Sequence, residues 1–222
     1  MTTQIAQRFR KSDVLRMFPS FVWKAELGPE ICEPLNESIL RALSEVGAPL
    51  TDLKPGQSWQ SDHGLHELRQ FHEFVDCVDE AAKYVLAYLK IGHESHKVTG
   101  CWANLNAPGA GHPTHSHPNN YLSGVYYVQT QPGADTINFF DPRPQTAIIR
   151  PPVTALTAEN TEQVVVKVTL GTLLMFPAWL QHSVDLNRSN RLRISLGFNI
   201  MFPGYAEVMA PPLWTPGRRP PV

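Results

Sequence analysis

Three histidines in this chain have the type and spacing to hold one metal ion. His115 and His117 form the triplet His-Ser-His, and His182 follows 65 residues later at the end of GTLLMFPAWLQH. Residues i and i+2 of a strand point to the same face, so a strand through the triplet aims both imidazoles at one point. If the strand before His182 lies beside it, three neutral nitrogens occupy one side of a first-row metal and leave its other positions open to ligands. Imidazole suits iron, zinc and nickel alike, so donor type leaves the metal open among them. Cys32, Cys77 and Cys101 are odd in number, widely spaced and without a CxxC pair, which argues against a thiolate site and for reduced cytoplasmic thiols. Two other histidine groups, His63, His66 and His72 near Glu67 and Glu73, and His93 and His96 around Glu94, fall at loop-to-helix and helix-end positions and are expected at the solvated surface.

The elements that must position such a triad change character along the chain. Residues 28–47 place Ile31, Leu35, Ile39, Leu40 and Leu43 at helical spacing, with Pro29 in the first turn where its missing N–H costs nothing. Residues 66–91 repeat the pattern with Leu68, Phe71, Val75, Ala82, Val85, Leu86 and Leu89. The polar, turn-rich TDLKPGQSWQSDHG between them reads as a loop. From residue 97 the period becomes that of strands: KVTGCWANLN, YLSGVYYVQT, TINFF, TAIIR, QVVVKVTL, TLLMFP, QHSVDL and RLRISLGFNIMF, mostly separated by Pro, Gly, Asn or Asp. The reading is one α+β domain over 1–222, mainly β: helices over about 1–96 packed on a jelly roll over about 97–202, then a proline-rich tail over 203–222.

Charge and hydropathy narrow the partner. The chain is 42% hydrophobic with a formal net charge of −1, so it lacks the basic excess that nucleic acid or an acidic membrane surface demands. No apolar run is long enough to span a bilayer, and MTTQIAQRFRKSD has no apolar core to serve as a secretion signal. A cytoplasmic location and a small-molecule or peptide substrate are expected. No nucleophile elbow or phosphate-cradling glycine loop is present. Homodimers are common for open-ended sheets of this kind.

The glycines complete two spaced patterns. Gly109 precedes His115 by six residues, Gly171 precedes Pro177 by six, and Pro177 precedes His182 by five. The resulting G-x5-H-x-H and G-x5-P-x4-H resemble the two cupin motifs, with Asn119, Asn120, Tyr121 and Leu122 where the cupin glutamate is expected. HSHPNNYLSGVYYV, FFDPRP and LLMFPAWLQHSVDLNRSNRLRISLGFNI together more closely resemble 2-oxoglutarate/iron(II)-dependent oxygenases, over residues 97–202. The resemblance implies a cupin-like double-stranded β-helix, iron(II), 2-oxoglutarate as co-substrate and O2.

Residue by residue, the resemblance makes His115 and His182 metal ligands and puts His117 where the wider family has an aspartate. His117 or a carboxylate such as Asp141 in FFDPR completes the set; Asp141 reads equally as a turn residue. The far carboxylate of 2-oxoglutarate needs a fixed cation, and arginine pairs bidentately and keeps its charge. Arg193-Ile-Ser195 looks like the family's Arg-x-Ser grip, and Arg191 on the same face is the competing position. Tyr127 matches a tyrosine that bonds the same carboxylate. Asn104 and Asn106 share a face of their strand, which suits either a lined cavity or a face turned to solvent. Alternation puts Arg191, Arg193, Ser195, Gly197 and Asn199 on one face of their strand, but does not itself say which face is inside. The implied activity is a 2-oxoglutarate-dependent dioxygenase that hydroxylates a small molecule or peptide. The alternatives are a three-histidine cupin enzyme that needs no 2-oxoglutarate, and a non-catalytic cupin that binds a small acid.

Overall fold

The structure is a computed structural model that describes residues 11–92, 95–144 and 151–204. Two antiparallel sheets face each other. The larger holds β1 (Trp23–Glu26), β8 (Thr172–Pro177), β5 (Leu122–Gln129), β10 (Arg193–Met201), β3 (Lys97–Asn106) and β2 (Ser58–Gln60), in that order. The smaller holds β4 (His112–His115), β9 (His182–Val184), β6 (Thr136–Phe140) and β7 (Gln163–Lys167). This is the double-stranded β-helix expected from the sequence.

The two faces of the large sheet have different partners. Ile194, Leu196, Phe198 and Ile200 of β10 pack with Leu35, Ile39 and Leu43 of α1 (Pro29–Glu45) and with Phe74, Val78 and Val85 of α2 (His72–Tyr88). On the opposite face Tyr127, Leu174 and Phe176 meet Ile137 and Phe139 of the small sheet. β5, β8 and β10 are buried along nearly their whole length, and β8 reads as the nearly continuous apolar run that burial on both faces favours. The packing also settles the parity of β10: the helices take its apolar face, which turns Arg193, Ser195, Gly197 and Asn199 toward the small sheet.

Several expectations are corrected in detail. The second helix begins only at His72; before it come two short 3₁₀ turns, Leu65–Glu67 and Arg69–Phe71, separated by Leu68 in extended geometry (φ −85°, ψ 130°). The loop between the helices contains β2, a three-residue strand that exists by pairing with the edge of β3. β1 has no counterpart in the sequence reading and adds to the edge of β8. TAIIR and the tail beyond residue 204 lie outside the described residues. Gly109 and Gly171 take φ of +83° and +80°, which is the backbone reason for glycine in both spaced patterns. No helix among the described residues is long and apolar enough to cross a membrane.

Candidate metal centre

The three histidines converge. A ligand atom from each of His115, His117 and His182 lies within 4.8 Å of the other two. His115 ends β4 and sits directly opposite His182, the first residue of β9. His117 is not on the strand as expected. It lies beyond the end of β4, held by its backbone N–H donating to Ala178 O at 2.8 Å across the turn that leads to His182. The ring still reaches the site.

Backbone carbonyls orient two of the rings. Nδ1 of His115 meets Pro113 O at 2.8 Å, and Nδ1 of His182 meets Leu180 O at 3.0 Å. A carbonyl only accepts, so each Nδ1 carries the proton and each neutral ring keeps its Nε2 lone pair free. His182 Nε2 lies 3.3 Å from His117 Nε2. The Nε2–H tautomer of His117 donates into that lone pair, and a metal ion would take the place of the proton. Burial pushes His117 down to about 3 and His182 to about 4, so both are neutral at physiological pH, the form in which imidazole binds a metal.

The triad opens onto a cavity of about 340 Å³ between the sheets. Register fixes two cross-strand rows on the large sheet, from which Arg193, Gln60, Asn104, Ser195 and Tyr127 line the cavity. One row runs Ser58, Asn106, Arg193 across β2, β3 and β10; the next runs Gln60, Asn104, Ser195, Tyr127 and reaches β5. Arg193 is 1% exposed. Its Nη2 donates to Asn106 Oδ1 at 2.8 Å, while its Nε and Nη1 have no partner among the described residues. Tyr127 OH and Asn104 Oδ1 are likewise buried without a partner. Burial lowers the Arg193 pKa from its ordinary value and raises that of Tyr127 to about 12, so the first stays a cation and the second a phenol. Buried polar atoms left unpaired are costly, and several lining one cavity point to a polar ligand that satisfies them.

The remaining candidate residues fall elsewhere. Arg191 is exposed and does not line the cavity. Asp141 lies outside the triad: it receives the Arg143 backbone N–H at 2.9 Å and an Arg143 Nη2 bond at 2.6 Å, the geometry of a turn residue.

Trp102, Gly197, His63 and His112 are among the lining residues that stand outside the set chosen from sequence. Trp102 stacks against the His117 ring with centroids 5.4 Å apart, and Gly197 leaves room for its indole. His63 is exposed, as expected, and also lines the cavity, with its ring 4.6 Å from Trp102 and its Nε2 2.9 Å from Gln60. His112 also faces inward, pushed down to about 4 by burial, with Arg193 and His115 acting in the same direction. Three residues from His115, it belongs to the opposite face of a regular strand, and the register irregularity between the two turns it in.

Residues 100–199 match the family described as "Putative 2OG-Fe(II) oxygenase". No curated protein matches the chain. The fold aligns with a prolyl-4-hydroxylase of Pseudomonas putida (TM-score 0.55, 19% identity, over 83% of this chain and 94% of that one). It also aligns with HygX of Streptomyces hygroscopicus, solved with nickel and 2-oxoglutarate bound (TM-score 0.57, 12% identity, 83% and 84%). A third structure is SnoK, a non-heme alpha ketoglutarate dependent carbocyclase from nogalamycin biosynthesis (TM-score 0.60, 11% identity, 86% and 87%). At these identities the likeness is one of fold. The family resemblance read from the motifs is borne out over the barrel.

Proposed function

We propose, on the premise that residues 100–199 are those of a 2-oxoglutarate/iron(II) oxygenase, that this chain is a dioxygenase that hydroxylates a C–H bond of a small molecule or peptide. One observation carries the reading. A single cavity brings together three converging imidazoles, two of them with Nδ1 bonded to a backbone carbonyl, and a buried arginine whose Nε and Nη1 have no partner among the described residues. The residues fit the implied groups. His115, His117 and His182 would hold the metal. Arg193 would take the far carboxylate of 2-oxoglutarate through its two free donors, with Tyr127, Ser195 and Asn104 beside it in the adjoining row. Bound iron(II), with 2-oxoglutarate and O2, supplies a two-electron oxidation in which the keto acid leaves as succinate and CO2 and the substrate gains a hydroxyl.

The chain's own contribution is binding, orientation and exclusion of water. Arg193 and Tyr127 fix one end of the co-substrate so that its keto-acid end faces the triad. Val125, Ile137, Phe176 and Val184 give the cavity an apolar lining that excludes water. Trp102 and His63, at the side of His117, are placed to contact the substrate.

The test is anaerobic. Iron(II) is added to metal-free protein and 2-oxoglutarate is titrated while the visible spectrum is recorded. A weak charge-transfer band, lost in His115→Ala and His182→Ala and shifted to higher 2-oxoglutarate concentration in Arg193→Met, is expected. Stoichiometric iron binding with no band removes the reading. That result would favour the second one, a three-histidine enzyme that engages its substrate without a co-substrate, for which the neutral His117 in place of a carboxylate speaks.

A further inference from the structure

We infer that Asn106 is the positioning residue of the Arg193 clamp, holding the guanidinium in place while leaving its charge available to a carboxylate ligand. The inference rests on the oxygenase reading and adds the reason why the partner of Arg193 is an amide. Asn106 is fully buried, directly opposite Arg193 on β10 and Ser58 on β2. Its Nδ2 donates to Ser58 Oγ at 3.0 Å and lies 3.4 Å from His112 Nε2, so its Oδ1 is turned to Arg193 Nη2 at 2.8 Å. Asn187 Nδ2 donates to the Asn106 backbone carbonyl at 3.0 Å and fixes the end of the strand. The amide orientation is thus set from both sides.

A buried arginine ordinarily finds a carboxylate, because a desolvated cation without a counter-charge is costly. Here the bonded partner is neutral. Asp185 acts on Arg193 only through space, with its Oδ1 taken by Asn138 Nδ2 at 2.9 Å. An aspartate at position 106 would have nearly the same shape and would satisfy Arg193 inside the protein. It would stabilise the empty site and compete with any incoming carboxylate. An amide orients one Nη nitrogen and leaves two donors and the full charge for the ligand. Ser58 places β2 in this device, which gives the short strand from the inter-helix loop a role at the site.

The experiment compares Asn106→Asp, Asn106→Ala and wild type in two measurements. One is thermal unfolding without ligands. The other is calorimetric titration of 2-oxoglutarate into nickel(II)-loaded protein, with nickel affinity measured separately. Asn106→Asp is expected to melt higher than wild type yet bind 2-oxoglutarate about 10- to 100-fold more weakly, the weight of one charge-assisted interaction lost to an internal rival. Asn106→Ala is expected to melt lower and also bind more weakly. A purely structural role would move stability and affinity down together in both variants, and that result overturns the inference. So does undiminished 2-oxoglutarate affinity in Asn106→Asp, which would leave the oxygenase reading standing. Wild-type protein that binds nickel but no 2-oxoglutarate removes the oxygenase reading, and this inference with it.

Discussion

Adding one methyl group at Gly197 tests whether the wall of the cavity holds the proposed metal ligands in place. A Cβ built there would lie 2.6 Å from Cε2, 2.7 Å from Cζ2 and 2.8 Å from Nε1 of Trp102. Ordinary carbon contact begins near 3.5 Å, so the indole must retreat by about 0.9 Å. It is 6% exposed and stacks with both His117 and His63, so the retreat disturbs a ring that packs on a proposed metal ligand. Overpacking of this kind costs about 1–3 kcal/mol, and a chain of this size loses roughly 2–4 °C of melting temperature per kcal/mol. Displacing a group that supports a ligand lowers metal affinity by about 10- to 100-fold. Gly197→Ala is therefore expected to melt several degrees lower and to bind cobalt(II) more weakly, read by scanning fluorimetry and by competition with a coloured chelator. Trp102→Phe removes the fused ring that the methyl meets. The double variant should recover part of the metal affinity lost in Gly197→Ala, a non-additivity that marks direct contact. Unchanged melting and unchanged affinity in Gly197→Ala would refute the reasoning, because the indole would then be free to move without consequence for His117.

Other expectations follow from single observations. Metal-free protein should lose stability as pH falls from 6.5 toward 4: His112, His117 and His182 have folded values of about 4, 3 and 4 against 6.5, so the unfolded chain takes up protons first, and the contribution is complete only above 6.5. Thermal melts across that range check it, and a flat profile would contradict the burial of the three rings. Asp141→Ala should bind one metal ion per chain with wild-type affinity, because Asp141 is held by Arg143 away from the triad. Phe198→Ala should cost about 3–5 kcal/mol in chemical denaturation, since the ring is fully buried between β10 and Phe74 of α2.

Much of this was legible in the sequence, for physical reasons that also mark where legibility stops. KVTGCWANLN and TLLMFP coincide with β3 and β8 because both are long enough for their pattern to stand out. The triad was legible as two spaced patterns anchored by glycines with positive φ. β1 and β2 were not, being four and three residues long and formed by pairing at sheet edges rather than by any local pattern. Arg191 and Arg193 share parity, so alternation could not separate them; the end of the sheet does, since β10 begins at Arg193 and leaves Arg191 in the exposed turn. Asn106 was legible as a face-sharing partner of Asn104, but its bond to Arg193 depends on cross-strand register. His112 was not legible because a register irregularity turns it to the cavity, and His63 is exposed as read yet also lines the cavity, which depends on its approach to Trp102.

The departure at His117 has a consequence that runs through the whole cavity. With an aspartate there, the protein would itself supply a negative charge to a divalent ion. Three neutral imidazoles supply none, and no aspartate or glutamate lines the cavity among the described residues. A bound divalent metal and Arg193 then place three positive charges in one partly desolvated space lined by neutral polar groups such as Asn104 and Tyr127. A dicarboxylate that spans both cations relieves this repulsion in a way that neither an apolar ligand nor a monocarboxylate matches. Metal and 2-oxoglutarate should accordingly bind with strong positive coupling, each raising the affinity of the other by the same factor, as linkage requires, on the order of 5- to 150-fold. Chelator competition for nickel(II), run with and without 2-oxoglutarate, gives one side of the cycle. Titration of 2-oxoglutarate with and without nickel(II) gives the other. His117→Asp supplies the missing charge and should hold the metal more tightly when alone while showing a smaller enhancement by 2-oxoglutarate. Equal metal affinity with and without the co-substrate in wild type would mean that the two cations are screened from one another, and the charge argument for three histidines would fall.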